Sequence, residues 1–455
     1  MVIISYVDFT NQDVVNTVIT KSVIGQNVLV KEDIIGHVDK DHISQLDYVK
    51  PPDPDNWQTV IPDVMYVYSA YVNVWSTIST EIHILGALRQ DYFRNPELLK
   101  SYCKIWIMRS DNVVMVEISK VVNVTSSFVR NTLLHSAEFI CHFYISPSDL
   151  NDTIVSLLSD NNTTYNNAMI LHNNIAKPVS YNFTVCLGRP LYGTVSVNWL
   201  LEWLELNRLF GADKILLHND SFSSSLDPYI DYYRRIGLVR LLPWHFPGHY
   251  PDIDPETLSY YLQQTMLTDC LYRHQRITKY LVVCDLDELI VPRHPSDYTW
   301  DQMISRTGCS ERVNGYGARH MLFSEEYERQ SRSSKEGNRR ERVMLDMTTR
   351  TSIVSKYYKR AKYIANTFFT TALSIHNIAN GVGDEECVLS VDVAGLHHYR
   401  KTIPSSRFKV NQRNPLVIDK TLHKYGEPLG QSLTKIRRSI NVDNEKLSNN
   451  FTRLL

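Results

Sequence analysis

Between Asn182 and Cys284 the apolar positions change period several times. Short runs rich in β-branched residues read as strands at Asn182–Leu187, Lys214–Leu217, Leu238–Leu242 and Tyr280–Cys284. Between them, Ser196–Phe210, Asp227–Ile236 and Glu256–Arg273 read as helices. In the first helix Trp199, Trp203, Leu206 and Phe210 form one stripe, with Val197, Leu200, Leu201 and Leu204 beside it. Asn198, Glu202 and Glu205 fall on its polar face. Gly211 and Gly237 stand where a left-handed residue ends a helix. Strands alternating with helices predict an α/β fold with a mostly parallel central sheet and right-handed crossovers.

The pattern upstream is different. Met65–Tyr71, Glu81–Leu85, Lys104–Met108, Val113–Ile118 and Glu138–Ile145 are short and rich in β-branched and aromatic residues. They predict a smaller β-rich antiparallel module. The proline cluster Lys50–Trp57 reads as a linker, and Ser146–Thr153 opens a short helix. The polar Ser159–Asn167 reads as a break between domains. The expected division is an N-terminal segment at 1–60, the β-rich module at 61–178, the α/β domain at 181–440 and a tail at 441–455. Tyr327–Arg342 reads as a charged insert, and Val388–Leu396 as a further strand.

Composition narrows the function classes. The chain has 455 residues and a net charge of -1, which argues against a nucleic-acid partner. No apolar run reaches the ~18 residues of a membrane span, and Met1–Thr10 lacks the pattern of a signal peptide. The seven cysteines show no C-x-x-C pair, which disfavours structural zinc, and an odd number leaves at least one without an intrachain partner. Cys186 and Cys284 end apolar runs and read as small buried residues. Sequons at Asn123, Asn151, Asn161, Asn162, Asn182, Asn219 and Asn450 add weak support for a secretory location. The first strand opens into Gly188-Arg-Pro-Leu-Tyr-Gly193, which is neither a dinucleotide fingerprint nor a P-loop.

The chemistry concentrates after the fourth strand. Lys279-Tyr-Leu-Val-Val-Cys-Asp285-Leu-Asp287-Glu288 ends an apolar run in three acids. The carboxyl end of a strand is where open α/β sheets bind ligands. Acids so crowded repel one another and are costly to desolvate unless a cation joins them, as a divalent metal carrying a diphosphate would. Asp285 and Asp287 are therefore candidate metal ligands, the alternative being solvated acids at a strand end. Downstream, His376 and the His397-His398-Tyr399-Arg400 run follow Lys356 and Lys362. A histidine can complete an oxygen-rich Mn²⁺ site, and basic groups can offset diphosphate charge. Side chains alternate along a strand, so one of His397 and His398 faces the acids and the other turns away.

From about Asn182 to Arg400 the chain resembles glycosyltransferase family 92. The resemblance rests on Pro190–Gly193, Trp203–Gly211, Tyr232–Gly237, Leu242–Pro247, Gln264 with Asp269–Arg273, Asp285–Pro292, His376 and His398–Arg400. Upstream, Tyr66–Tyr71 and Glu81–Gly86 also match. It implies a GT-A-type nucleotide-sugar-binding fold, a UDP-sugar donor (galactose above all), Mn²⁺ or another divalent cation, and inverting transfer to a glycan acceptor. It selects His398 as the third metal ligand. It places Pro190, Leu191, Tyr192, Lys362, His376 and Arg400 around the donor, with Tyr192 against the base. The general base is not assigned; Asp384, Glu385 and Glu386 form an acidic cluster to test, a solvated turn being the alternative. Family members are Golgi membrane proteins, so the expected location is the Golgi lumen, with membrane association only through an anchor missing from this chain. Two rivals stay open. In a haloacid-dehalogenase-type phosphatase Asp285 would be the nucleophile, with Gly383-Asp384-Glu385 as its later acidic motif. A non-catalytic glycan-binding protein would keep the fold alone.

Overall fold

A computed structural model describes residues 55–75, 80–94, 100–109, 112–126, 134–159, 167–247, 262–331, 343–403 and 408–452. Most of the expected N-terminal segment, the start of the expected third helix and residues 332–342 of the charged insert lie outside them. The chain divides into two compact units, Met1–Ala176 with Phe246–Thr265, and Lys177–His245 with Met266–Leu455. No described helix is long and apolar enough to cross a membrane.

The first unit is built on β1 (Gln58–Ile61), β2 (Met65–Val72), β3 (Thr80–Arg89), β4 (Ser101–Arg109), β5 (Asn112–Ser126), β6 (Leu134–Phe143), β7 (Thr153–Ser159) and β8 (Met169–His172). Their order is β1-β2-β3-β6-β5-β4-β7-β8, and β8 returns to pair with β2, so seven strands close into a barrel. Closure removes the unpaired edges an open module would leave. Its core includes Val67, Ile84, Ile105, Phe139 and Leu157. Cys103 and Cys141 are joined by a disulfide within it. Two expectations change here. Ser159 ends β7, and β8 pairs with β7 and β2, so the stretch between them connects strands of one barrel and is not a domain break. Ser146 precedes only a single 3-10 turn, Pro147–Asp149.

The second unit follows the alternating pattern at first. Its elements are β9 (Tyr181–Leu187), β10 (Leu191–Gly193), helix α1 (Val197–Phe210), β11 (Lys214–Phe222), helix α2 (Asp227–Arg235), β12 (Val239–Pro243), helix α3 (Gln263–His274, in this unit from Met266 on) and β13 (Thr278–Cys284). Gly211 has φ 113° and Gly237 φ 78°, the left-handed geometry that ends a helix where a side chain would be strained. Strands β9 to β13 pair in parallel.

The sheet is nevertheless mixed, which corrects the simpler expectation. After the acidic turn come β14 (Glu288–Pro292), β15 (Gly315–Ala318), β16 (His320–Ser324), β17 (Thr349–Val354) and β18 (Lys362–Asn366). β18 pairs antiparallel with both β13 and β15. The helical crossovers that enforce parallel pairing stop at β13, and the chain then reaches its neighbours without them. The remaining strands are β19 (Thr370–Leu373), β20 (Ile378–Gly381), β21 (Cys387–Val388), β22 (Ala394–Arg400) and β23 (Leu416–Ile418). Val388–Leu396 is thus not one strand; β21 ends at Val388 and β22 begins at Ala394. A second sheet runs β14-β22-β16-β17-β23. Asp285-Leu286-Asp287 is therefore the corner at which the chain passes from one sheet to the other.

Glu325–Ser331 is helical with Tyr327 fully buried, so the charged insert begins inside the fold. The C-terminal helix Gly426–Thr452 sets Leu429, Leu433, Ile436 and Ile440 into the core and continues through most of the expected tail. Cys186 is joined to Cys270, and Cys309 to Cys387; Cys284 alone keeps its thiol. Cys186 is thus a cross-link rather than a lone buried residue. Burial pushes the Cys284 thiol well above its ordinary range, so it stays neutral in the core.

Candidate functional site

The site begins with the corner after β13. Glu288 closes it, its amide N–H donating to the Asp285 carbonyl at 3.0 Å. Two indoles from α1 hold it from below. Trp199 donates to the Leu286 carbonyl at 2.8 Å, and Trp203 to those of Asp285 at 3.0 Å and Glu288 at 3.1 Å. Spacing of four residues puts both indoles on one helix face. The sequence signalled this stripe only as core.

The three acids then diverge. The Asp285 carboxylate meets the Lys362 ammonium at 3.2 Å, and Glu288 lies 3.7 Å from the same nitrogen. Lys362 is fully buried. Burial works against its charge, but Asp285 and Glu288 outweigh it and raise its pKa. Gly188 makes room for this pair, since a Cβ there would fall 2.2 Å from Asp285 Oδ1. Glu288 is buried too, and burial lifts it to about 7 despite Lys362.

Asp287 turns the other way. Its Oδ2 is 3.0 Å from His398 Nε2 and 3.7 Å from Arg400 Nε. Burial opposes its charge, but His398, Arg400 and Arg189 hold the carboxyl down at about 2. β22 delivers His398 directly opposite Glu288 in antiparallel register. The Tyr399 amide donates to the Asp287 carbonyl at 2.8 Å and fixes the corner against that strand. Arg400 Nε donates to His398 Nε2 at 2.8 Å.

His397 points to the opposite face. Arg293 Nη1 donates to its Nε2 at 3.1 Å, and its Nδ1 is 3.1 Å from the Tyr399 hydroxyl. Burial holds it down at about 3, so it is neutral. Asp419 receives both Arg293 and Arg350 in the same network.

The other expected residues are scattered. Pro190 and Leu191 are buried, and Leu191 belongs to the hydrophobic core, so neither offers a surface to a nucleotide. Tyr192 is 38% exposed. Lys362 is engaged with two carboxylates and has no exposed surface for a phosphate. His376 Nδ1 lies 3.3 Å from the Ala361 carbonyl; burial, then the Lys362 charge, holds it at about 4. Asp384 is exposed and accepts from Ser310 Oγ at 2.6 Å; Glu385 is exposed. Glu386 turns inward and accepts from the Tyr357 hydroxyl, and burial lifts it to about 7. The acidic cluster is thus two surface residues and one half-buried acid.

Sequence reading missed His320 on β16. It is buried, with Nε2 3.0 Å from His398 Nδ1 and Nδ1 3.4 Å from Ser355 Oγ. Burial, then the charges of His398, Arg360 and Arg400, push its pKa well down. An isolated histidine in an apolar strand carries no motif, so nothing in the sequence marked it.

Residues 181–452 match the family model described as Glycosyltransferase family 92. The chain belongs to this family. Among curated proteins, a glycosyltransferase family 92 protein of Caenorhabditis elegans is 25% identical over 181 residues, 35% of each chain. The beta-1,4-galactosyltransferase galt-1 of the same organism is 27% identical over 114 residues, 25% of this chain and 26% of that protein. The chain therefore spans about a third or less of the length of each relative. Among solved structures, S. aureus TarS 1-349 in complex with UDP-GlcNAc overlaps 50% of this family 92 chain and 62% of its own, at 9% identity and a TM-score of 0.24.

Proposed function

We propose that this family 92 chain is a glycosyltransferase of GT-A type. In this reading it moves a sugar from a UDP-linked donor, galactose first among them, to a hydroxyl of a glycan acceptor with inversion. The family match and the similarity to a beta-1,4-galactosyltransferase support the reaction class. One observation carries the site: Asp287 Oδ2 and His398 Nε2 converge to 3.0 Å beside Arg400 at the corner between the sheets. The phosphatase alternative does not fit this family.

A divalent cation fits this donor set in part. The carboxylate and imidazole of Asp287 and His398 suit Mn²⁺, which accepts both. The Asp285 carboxylate is matched by Lys362 instead, and among the described residues Asp285, Asp287 and His398 do not come together as a three-ligand cluster. Asp287 and His398 would hold the cation, and its chemistry would be to offset charge on a departing diphosphate. Arg400 lies where a guanidinium can take up a phosphate oxygen. Lys362 pairs with the Asp285 carboxylate from beneath and ties the corner to β18. Glu386 is the acid of the three whose surroundings suit a general base, since burial brings it near neutral pH.

Release of nucleotide from a panel of nucleotide sugars, with and without Mn²⁺, tests the reading. UDP-galactose should be turned over with a glycan acceptor, and Asp287→Asn should lose at least a hundredfold while remaining folded. Preference for a GDP- or CMP-sugar would refute the donor. Glycan binding with no turnover of any donor would favour a non-catalytic protein.

A further inference from the structure

We propose that Tyr358 is a platform for the acceptor glycan, its exposed ring taking the C–H face of one sugar residue beside Glu385 and Glu386. This rests on the glycosyltransferase reading and deepens it by placing the acceptor. Tyr358 lies in the turn between β17 and β18. The Lys359 amide donates to the Lys356 carbonyl at 3.2 Å and closes that turn. Tyr358 is the third of its four residues and has φ 66°. A turn with a left-handed third residue calls for glycine there. Two residues on, Arg360 has φ 61°. Left-handed backbone is an outlier for bulky side chains, and such strain collects at binding sites.

Tyr357 pins the turn from inside. Its hydroxyl donates to Glu386, and its ring fills the space a side chain at Gly317 would need, since a Cβ there would fall 2.2 Å from Tyr357 Cζ. Before the turn, the Ser355 amide donates to the His320 carbonyl at 3.0 Å. After it, Lys362 meets Asp285 at 3.2 Å, which ties the turn to the corner of the candidate site. The Tyr358 ring is 59% exposed and leans on Tyr357, with centroids 4.5 Å apart and planes at 57°. Partial desolvation, then the charges of Glu386 and Glu385, raise its hydroxyl above the ordinary range. A large ring already fixed at the surface loses little entropy on binding. A pyranose matches it, with a face of C–H groups for the ring and rim hydroxyls for the carboxylates. The acceptor is the sugar whose hydroxyl must meet a base, and Tyr357 joins Tyr358 to Glu386, the acid proposed for that role.

The full-length chain, screened on an array of glycans with varied terminal sugars, tests the platform. The parent should bind at least one glycan. Tyr358→Phe, which keeps the ring, should bind it as the parent does, and Tyr358→Ala should weaken it by about tenfold. With that glycan as acceptor, the acceptor KM should rise by the same factor in Tyr358→Ala. Release of UDP from UDP-galactose into water, without acceptor, should stay at the parental rate. Tyr358→Gly should bind no better than Tyr358→Ala yet unfold at a higher urea concentration, because glycine takes a left-handed φ without strain. A parent that binds no glycan, or Tyr358→Ala binding as the parent does, overturns the proposal. So does loss of binding in Tyr358→Phe, a slower acceptor-free release of UDP in Tyr358→Ala, or Tyr358→Gly unfolding before Tyr358→Ala. Glycan binding that depends on Tyr358, with no sugar transferred from any nucleotide sugar, would uphold the platform and reject the transferase reading separately.

Discussion

The indole N–H of Trp203 reaches the carbonyl oxygen of Asp285 at 3.0 Å from beneath the sheet corner. The same N–H is 3.1 Å from the carbonyl of Glu288, and Trp203 is fully buried. Trp203→Phe keeps an aromatic ring there but removes the donor. Two buried carbonyls would lose it, at about 1–3 kcal/mol. The expected outcome is a loss of stability in that range in urea unfolding, with a weaker affinity for the donor nucleotide. An unchanged affinity in a destabilised variant would make Trp203 a core residue only.

Lys362 is the buried counter-charge for Asp285 and Glu288. Lys362→Met fills similar space without charge and leaves two carboxylates facing each other. Removing one partner of a buried ion pair costs about 3–5 kcal/mol. Glu288 should respond by taking a proton over a wider pH range, so the variant should be least stable at alkaline pH. Adding Glu288→Gln should recover part of the loss. Urea midpoints at pH 5 and pH 8 for the single and double variants check both statements.

The sequence made parts of this fold legible for a physical reason. α1 and α2 carry apolar stripes and end at Gly211 and Gly237, signals that are local in the chain. The acids at Asp285–Glu288 were visible because an apolar run ends in them abruptly. Barrel closure by β8 and the antiparallel insertion of β18 depend on pairings between distant segments, which no local period encodes. The same holds for the partners of the acids. Lys362 is 77 residues from Asp285, and nothing around it distinguishes a buried counter-ion from a phosphate-binding lysine. Cys186 and Cys270 are 84 residues apart, so spacing gave no pairing. His320 is 78 residues from His398 and was equally invisible.

Glu386 supplies a pH signature. Burial raises it from 4.5 to about 7 in the folded chain, against the hydrogen bond from Tyr357. A raised folded pKa means the native state binds the proton more tightly than the unfolded state. The stability this group contributes is full below about 4.5 and is lost as pH rises through about 7. A general base needs the opposite form, so transfer should increase over the same rise. Glu386→Gln should flatten both profiles. Activity that still climbs through pH 7 in this variant would assign the base elsewhere.

His397 and His398 separate structure from function within two adjacent residues. His398 faces Asp287, whereas His397 is packed between Arg293, Tyr399 and Phe323. His397→Ala would leave a buried cavity and strip Arg293 of one acceptor, although Asp419 still receives that guanidinium at 2.7 Å. A loss of about 2–4 kcal/mol is expected from cavity and unsatisfied-donor terms together. His398→Ala removes a smaller share of the packing, but it takes away one of the two donors that converge near Arg400. Its stability should fall by less than that of His397→Ala. Its Mn²⁺ affinity in the presence of UDP should fall by at least tenfold, while His397→Ala keeps the parental value wherever it is folded. Titrating both variants at 15 °C or below, on the order of the temperature of maximum stability, keeps unfolding out of the comparison. Equal metal affinities, or a larger loss for His397→Ala, would reject the division of roles between the two faces of β22.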